Sequence, residues 1–138
     1  MRTIYLAVIL AFPVVAMLNA LYFGSELKRF ADRTPRLETP LEMTKYRRLI
    51  ARQMYAALLQ LLLLAIPPIV FFHGLIHKIL TVPDILFVVV PSAVIIVIAQ
   101  LNRRHEARIR TLPTATEQMA DERDAVVRTW VRKPLPDW

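Results

Sequence analysis

The chain has 138 residues, a net charge of +7, no cysteine, and 56% hydrophobic residues with a mean hydropathy of +0.42. A soluble domain of this length does not bury so large an apolar fraction, and the lack of cysteine excludes disulfides and thiolate metal sites. A basic surplus is typical of proteins that bind nucleic acid or an anionic membrane surface. Because these cations flank long apolar segments, we predict anionic phospholipids as partners and no nucleic acid.

Three apolar stretches contain no Asp, Glu, Lys or Arg: Thr3 to Phe23, Met54 to Phe72, and Ile85 to Leu101. A helix needs roughly 20 mostly apolar residues to cross a bilayer core, and an ionised side chain at its centre costs about 2.5 kcal/mol or more. The sequence therefore predicts an all-α membrane protein with three spans. The predicted segments are transmembrane helices at 1–23, 54–73 and 85–101, a cytoplasmic basic helical arm at 24–53, an extracytoplasmic turn at 74–84, and a cytoplasmic basic tail at 102–138.

The charge distribution predicts the orientation. Eight cations lie between the first two stretches and eight follow the third, whereas the remaining segments hold only Arg2 and Lys78. Cationic segments stay on the cytoplasmic side of a membrane. We therefore predict a multi-pass protein of a bacterial-type inner (plasma) membrane, with the N-terminus and the turn around His77 outside and the C-terminus in the cytoplasm.

The first stretch begins like a signal peptide, with Arg2 followed by an apolar run. The run continues to an aromatic pair, Tyr22 and Phe23, which is typical of an anchor at the membrane interface. We predict a retained span rather than a cleaved leader.

The arm is predicted to contain two helices. Ser25 is a candidate N-cap for a short helix that ends before Pro35. Thr39, Pro40 and Glu42 match the start signature of a second helix, with threonine at the cap and glutamate three residues later. Since nothing interrupts this helix before Pro67, we expect it to continue into the second span.

An apolar stripe follows the polar part of this second helix. One interpretation is a docking face for another helix; the other is that Tyr46, Arg47 and Arg48 lie among lipid headgroups. The candidate partner-binding residues of the stripe are Met43, Tyr46, Leu49 and Ile50. The candidate headgroup ligands near the ends of the spans are Arg47, Arg48, Arg103, Arg104 and Arg108.

Each span contains proline, which removes a backbone donor and is predicted to kink the helix. The prolines are Pro13, Pro67, Pro68 and Pro91. Among the few polar side chains, Asn19 and Gln60 are predicted to form hydrogen bonds between helices. An ionisable group of the kind that pumps place at depth is lacking from the spans.

His73 and His77 are four residues apart at the outer end of the second span, and they would share a helical face if the helix continues past Pro68. This spacing is compatible with a haem or a quinone headgroup. The run from His73 to His77 resembles the haem-anchoring subunits of succinate dehydrogenases, which are also small and have three spans. The arginine and acidic positions that accompany the histidines in that family are missing here. Interfacial histidines without a ligand are the competing interpretation, and we expect no cofactor and no metal.

The tail begins with a basic helical extension over Asn102 to Arg110, and Pro113 interrupts it. Thr114 and Glu117 match a second cap signature and predict an amphipathic helix that reaches about Val131. Apolar side chains of the tail are candidate partner-binding residues. These residues are Val127, Trp130, Leu135 and Trp138.

The sequence contains no motif that names a reaction or a small-molecule substrate, and we predict that the protein is not an enzyme. Our first hypothesis is a non-catalytic accessory or scaffolding subunit that packs against larger integral membrane subunits. The second is a haem- or quinone-anchoring subunit of a respiratory or photosynthetic membrane complex. The third is a self-assembling pore protein, since three-span phage holins are similar in size, outward N-terminus and charged inward tail.

Overall fold

The computed structural model describes all 138 residues and contains four α-helices, with 83% of residues in helices and no strands. The helices are α1 (Arg2–Arg33), α2 (Pro40–Ile76), α3 (Leu86–Arg110) and α4 (Glu117–Arg132), and a short 3-10 helix (Val82–Ile85) precedes α3. Helices α1 and α2 and the helical stretch Val82–Arg110 are long and apolar enough to cross a membrane. The all-α fold class with three candidate spans is confirmed, as expected of a multi-pass membrane protein.

The predicted separate helix at Ser25 is wrong. Helix α1 continues without a break from Arg2 to Arg33, and the Ser25 hydroxyl donates a hydrogen bond to the Tyr22 carbonyl one turn back in the same helix. The end of α1 agrees with the sequence, because the residue before Pro35 is disfavoured in helical geometry.

The predicted start of α2 is confirmed at Pro40. The backbone N–H of Glu42 donates to the Thr39 hydroxyl at 3.2 Å, and the Glu42 carboxylate accepts from the backbone N–H of Thr39 at 3.1 Å. These two bonds form the reciprocal capping box that the sequence indicates. Helix α2 continues through Pro67 and Pro68 to Ile76, and the predicted proline kinks stay predictions.

The chain divides into two compact units. The apolar unit comprises Met1–Leu21 and Leu59–Gln100, and the basic unit comprises Tyr22–Leu58 and Leu101–Trp138. The basic unit holds 16 of the 18 Lys and Arg residues and 10 of the 11 Asp and Glu residues. Most of the long apolar sequence therefore lies in the apolar unit, and nearly all of the charge lies in the basic unit.

Two small clusters hold the three helices of the apolar unit together. Ala16, Leu63 and Ile95 form one of them, with one residue from each helix. The other consists of Ile9, Phe71, Leu80 and Val88. The amide Nδ2 of Asn19 donates to Gln60 Oε1 at 2.8 Å, which confirms the predicted hydrogen bond between α1 and α2. Such a bond within a membrane contributes about 1 kcal/mol.

The turn after α2 is fixed by contacts within the apolar unit. Lys78 has a positive φ of 54°, and the backbone N–H groups of Ile79 and Leu80 donate to the Gly74 carbonyl at 2.8 and 3.1 Å. A Cβ atom at Gly74 would lie 2.7 Å from Leu80 Cδ1, so the turn closes tightly because this residue is glycine. Beyond the turn, the guanidinium of Arg2 donates to the buried carboxylate of Asp84 at 2.8 Å.

The basic unit has the larger core. It combines side chains from α1, α2, α4 and the end of α3, and from the two loops at residues 34–39 and 111–116. The buried members are Leu27, Ala31, Leu37, Met43, Tyr46, Leu49, Ile50, Met54, Ile109, Leu112 and Val126. The arm and the tail of the sequence therefore fold into one structure.

Candidate functional site

The apolar stripe of α2 is buried inside this core. Met43, Tyr46, Leu49 and Ile50 are 7% exposed or less and pack against other segments of the same chain. The prediction that these four residues bind a partner is therefore corrected, because their surface is already covered. The amphipathic pattern was real, but a pattern along one helix does not show which surface covers it.

Tyr46 is the central side chain of the basic unit. Its hydroxyl donates a hydrogen bond to the Ile109 carbonyl at 3.1 Å, and its ring centroid lies 6.2 Å from that of Phe30. Burial raises the pKa of the Tyr46 phenol above its ordinary value, so the group stays a neutral donor. One side chain thus connects α1, α2 and the end of α3.

The loop before α4 is joined to the loop between α1 and α2. The backbone N–H of Leu37 donates to the Pro113 carbonyl at 2.8 Å, and the N–H of Ala115 donates to the Leu37 carbonyl at 2.9 Å. Thr114 takes part in this bridge, and the N-cap of α4 is Thr116, whose hydroxyl accepts from the Met119 N–H. The predicted cap at Thr114 is therefore wrong by two residues.

Helix α4 packs on the same core by several kinds of contact. Val126 is 3% exposed, and Arg110 lies over the Trp130 ring at 4.8 Å. The guanidinium of Arg123 donates to the Leu112 carbonyl at 2.8 Å. Such cation contacts have no local sequence signal, since both partners of each pair are distant from one another in the chain.

The candidate partner residues of the tail divide into two pairs. Val127 and Trp130 are partly buried, and Trp130 packs against the core of the basic unit. Leu135 and Trp138 are 47% and 44% exposed, and their role as a partner surface stays a prediction.

The end of the chain is held by contacts within the chain. The Asp137 carboxylate accepts hydrogen bonds from Lys133 and from Thr129, which lies in the last turn of α4. These bonds, the one from Lys133 foremost, lower the pKa of Asp137. These contacts connect the C-terminal segment to the last turn of α4.

The candidate headgroup arginines also divide into two groups. Arg47 forms an ion pair with Glu122 at 3.0 Å, and Arg108 forms one with Asp32 at 2.8 Å. The remaining three are exposed and form no ion pair within the chain; they are Arg48, Arg103 and Arg104. These three keep their charge available for lipid phosphates, and their binding to lipid stays a prediction.

The two histidines form a cluster with a tyrosine that the sequence did not single out. The Tyr5 hydroxyl lies 2.9 Å from His73 Nδ1, and the rings of His73 and His77 are 4.5 Å apart. Ile4, Val8, Ile69 and Val70 complete the lining of an apolar cavity of about 330 Å³ beside Tyr5 and His73. His73 lies in the last turn of α2, and His77 lies in the turn that follows the helix end at Ile76. Because their rings are in contact, the two imidazoles cannot occupy opposite faces of one haem, so a haem would take at most one of them. Binding of haem or quinone stays a prediction.

Comparison with known proteins adds no relative to this description. No protein-family profile matches the chain, and neither a curated protein nor a solved structure matches it.

Proposed function

We propose that this protein is a non-catalytic accessory or scaffolding subunit of a larger integral membrane complex. In this proposal it packs against bigger membrane subunits in a bacterial-type inner membrane, with the basic unit in the cytoplasm. Anionic phospholipids are its second class of partner, held by exposed arginines such as Arg48, Arg103 and Arg104.

The observation that carries the proposal is the small share of apolar surface that the helices cover for each other. Only 17%, 22% and 11% of the most apolar windows of the three candidate spans is buried within the chain. Large side chains such as Leu18, Leu62 and Ile96 are 62%, 60% and 59% exposed. A set of helices with so much uncovered apolar surface offers ample area for packing against further helices.

A second observation concerns the basic unit. Its charged side chains are arranged around a buried core with specific ion pairs, rather than forming a solvated tail. A folded unit of this kind fixes its own parts of α1, α2, α3 and α4 around one core. This is a role expected of a scaffold, and it requires no substrate.

The first prediction is that the chain is recovered in a complex. After extraction in polymer-bounded native nanodiscs, native mass spectrometry should show the 15.9 kDa chain at fixed stoichiometry with one or more larger membrane proteins. A photoreactive residue at the exposed position of Leu62 should cross-link to the same partner, whereas one at the buried neighbour Leu63 should not.

Two results would contradict this proposal. A stable monomer that retains only lipid would show that the exposed apolar faces contact the bilayer alone. A closed ring of identical copies would support the alternative of a self-assembling pore.

The second prediction concerns orientation and uses the absence of cysteine from the chain. Two variants are made, in which one of the exposed residues Lys78 and Arg104 is replaced by cysteine. They are labelled in cells whose outer layer is permeabilised and whose inner membrane is intact. Lys78→Cys should react at once with a membrane-impermeant maleimide, because the positive-inside rule places it outside. Arg104→Cys should react only after the inner membrane is opened, and the reverse order would exclude the proposed orientation.

A further inference from the structure

The basic unit contains a cavity of about 560 Å³ between the C-terminal part of α1 and the N-terminal part of α2. This volume is within the range of about 300–1,000 Å³ that small-molecule sites occupy. The lining contains five cations and two acids, and the other lining residues are mainly aromatic or apolar. The charged lining residues are Glu26, Arg29, Arg33, Glu42, Lys45, Arg48 and Arg52.

The spacing of the cations on both helices explains why they meet in one cavity. Arg29 and Arg33 are four residues apart on α1, and Lys45, Arg48 and Arg52 recur at three and four residues on α2. Residues at these spacings share one face of a helix. Each helix therefore directs a row of positive charge toward the space that it shares with the other helix.

The two acids of the lining are engaged within the chain. Glu26 is paired with Arg52 at 2.7 Å. Glu42 accepts hydrogen bonds from the backbone N–H groups of Glu38 and Thr39 at the start of α2. Neither carboxylate forms an ion pair with the other four cations of the cavity.

Those four cations have no opposite charge within ion-pair distance. Arg29, Arg33, Lys45 and Arg48 are exposed, and none of them forms a salt bridge, whereas Arg47, Arg108, Arg110 and Arg123 each do. Like charges four residues apart on a helix destabilise it. An anion bound in the cavity would reduce this repulsion. An anion with two negative charges would balance the four cations better than an anion with one.

The position of the cavity along the chain indicates which anion this is. Tyr22, in its lining, is the penultimate residue of the first apolar stretch, and Arg52 lies two residues before the second stretch. Phosphate headgroups of lipids lie where apolar segments leave the bilayer core. The aromatic lining residues Tyr22 and Phe30 offer contact area to the acyl chains of a lipid, which a free ion lacks.

We propose that this cavity binds the phosphate groups of an anionic phospholipid and that a lipid with two phosphates, such as cardiolipin, is its preferred ligand. The inference rests on the proposed membrane location of the basic unit and specifies the lipid partner named there. It does not depend on the accessory role, since the test uses the chain alone.

The test measures binding of cardiolipin and phosphatidylglycerol to the full chain in neutral detergent by native mass spectrometry. The cavity variant replaces Arg29, Arg33, Lys45 and Arg48 by glutamine. The matched control replaces four exposed cations that form no ion pair, lie outside the cavity and are not among the candidate headgroup ligands: Lys28, Arg36, Arg128 and Arg132. Both variants lose the same net charge, so they differ only in where the charge is lost.

The cavity variant is expected to bind cardiolipin roughly a hundredfold more weakly, and the control less than about threefold more weakly. Equal losses in the two variants, or no loss in either, would overturn the proposal. Equal affinity for phosphatidylglycerol and cardiolipin would overturn the preference for two phosphates. If the fourfold variant does not fold, the pairs Arg29→Gln with Arg33→Gln and Lys45→Gln with Arg48→Gln are measured instead, each against Arg128→Gln with Arg132→Gln.

Inorganic phosphate distinguishes the two sources of the anion. Added at millimolar concentration, it should leave bound cardiolipin in place, because the lipid supplies two linked phosphates and an apolar contact. Complete displacement by inorganic phosphate would show that the cavity is a site for the free ion and would overturn the assignment to lipid. If the chain is monomeric and its affinity for cardiolipin still depends on the cavity residues, the accessory role is excluded and the lipid site is supported.

Discussion

Replacement of Tyr46 by alanine is expected to lower the free energy of unfolding of the basic unit by about 3–5 kcal/mol. The side chain is fully buried and occupies the centre of the largest core, so its removal leaves a cavity that α1 and α2 cannot both close. The hydrogen bond to the Ile109 carbonyl is lost as well. Tyr46→Phe retains the ring and should cost only about 1 kcal/mol, since it removes that bond alone.

The measurement uses the two tryptophans of the chain, which both lie in the basic unit. In a Trp138→Phe background, the emission of Trp130 reports thermal unfolding of this unit in detergent. The matched control is Tyr55→Ala on the same helix, because Tyr55 is 56% exposed. It should change the free energy of unfolding by less than about 0.5 kcal/mol. Equal melting temperatures of Tyr46→Ala and Tyr55→Ala would mean that the core around Tyr46 does not stabilise the basic unit.

Sequence reasoning succeeded where the signal is local. The three apolar stretches predicted the candidate spans because length and absence of charge are decisive in a bilayer. The capping box at Thr39 and Glu42 placed the start of α2 at the correct residue, since all its hydrogen bonds lie within one turn. Asn19 and Gln60 were predicted to form hydrogen bonds between helices because few polar groups are available in the spans, and the structure shows that they bond to each other.

The sequence was misleading where two distant segments share a surface. The stripe around Tyr46 had the pattern of a docking face, and a single sequence does not show that Ile109 and Val126 cover it. Thr114 had the spacing of an N-cap, but its backbone is used in the bridge to Leu37, so the helix begins two residues later. In each case the local pattern was correct in kind, and its partner was more than 60 residues away.

The cavity of the basic unit also depends on packing between segments, which a single sequence does not show. The rows of cations on α1 and α2 are visible in the sequence as helical spacings, but their shared position depends on how Leu27, Ala31 and Ile50 pack. Because these apolar contacts bring the two helices together, they also bring together the four unpaired cations. Stability of the core and binding of the phosphate groups are therefore linked, and cardiolipin should raise the melting temperature of the basic unit, with a rise that grows with the logarithm of the lipid concentration above Kd.

Replacement of Val126 by aspartate is expected to detach α4 from the basic unit. Val126 is 3% exposed and lies in the core, so an unpaired carboxylate there costs about 3 kcal/mol or more. The remaining contacts of α4, such as the Arg47–Glu122 pair, are partly exposed and contribute about 1 kcal/mol or less each. In the Trp138→Phe background, the emission of Trp130 should shift to the red, because its ring leaves the core and Arg110 and becomes exposed to water.

Val131→Asp provides the matched control, because Val131 is on the same helix and is 58% exposed. It introduces the same charge and should leave the Trp130 emission unchanged. Trypsin gives a second readout: the side chain of Arg123 is 19% exposed in the intact unit, so cleavage after it should accelerate at least tenfold in Val126→Asp and not in Val131→Asp. If both variants were cleaved alike, α4 would be a mobile tail. In that case the predicted partner surface at Val127, Trp130, Leu135 and Trp138 would be open as a whole, whereas a docked α4 leaves only Leu135 and Trp138 well exposed.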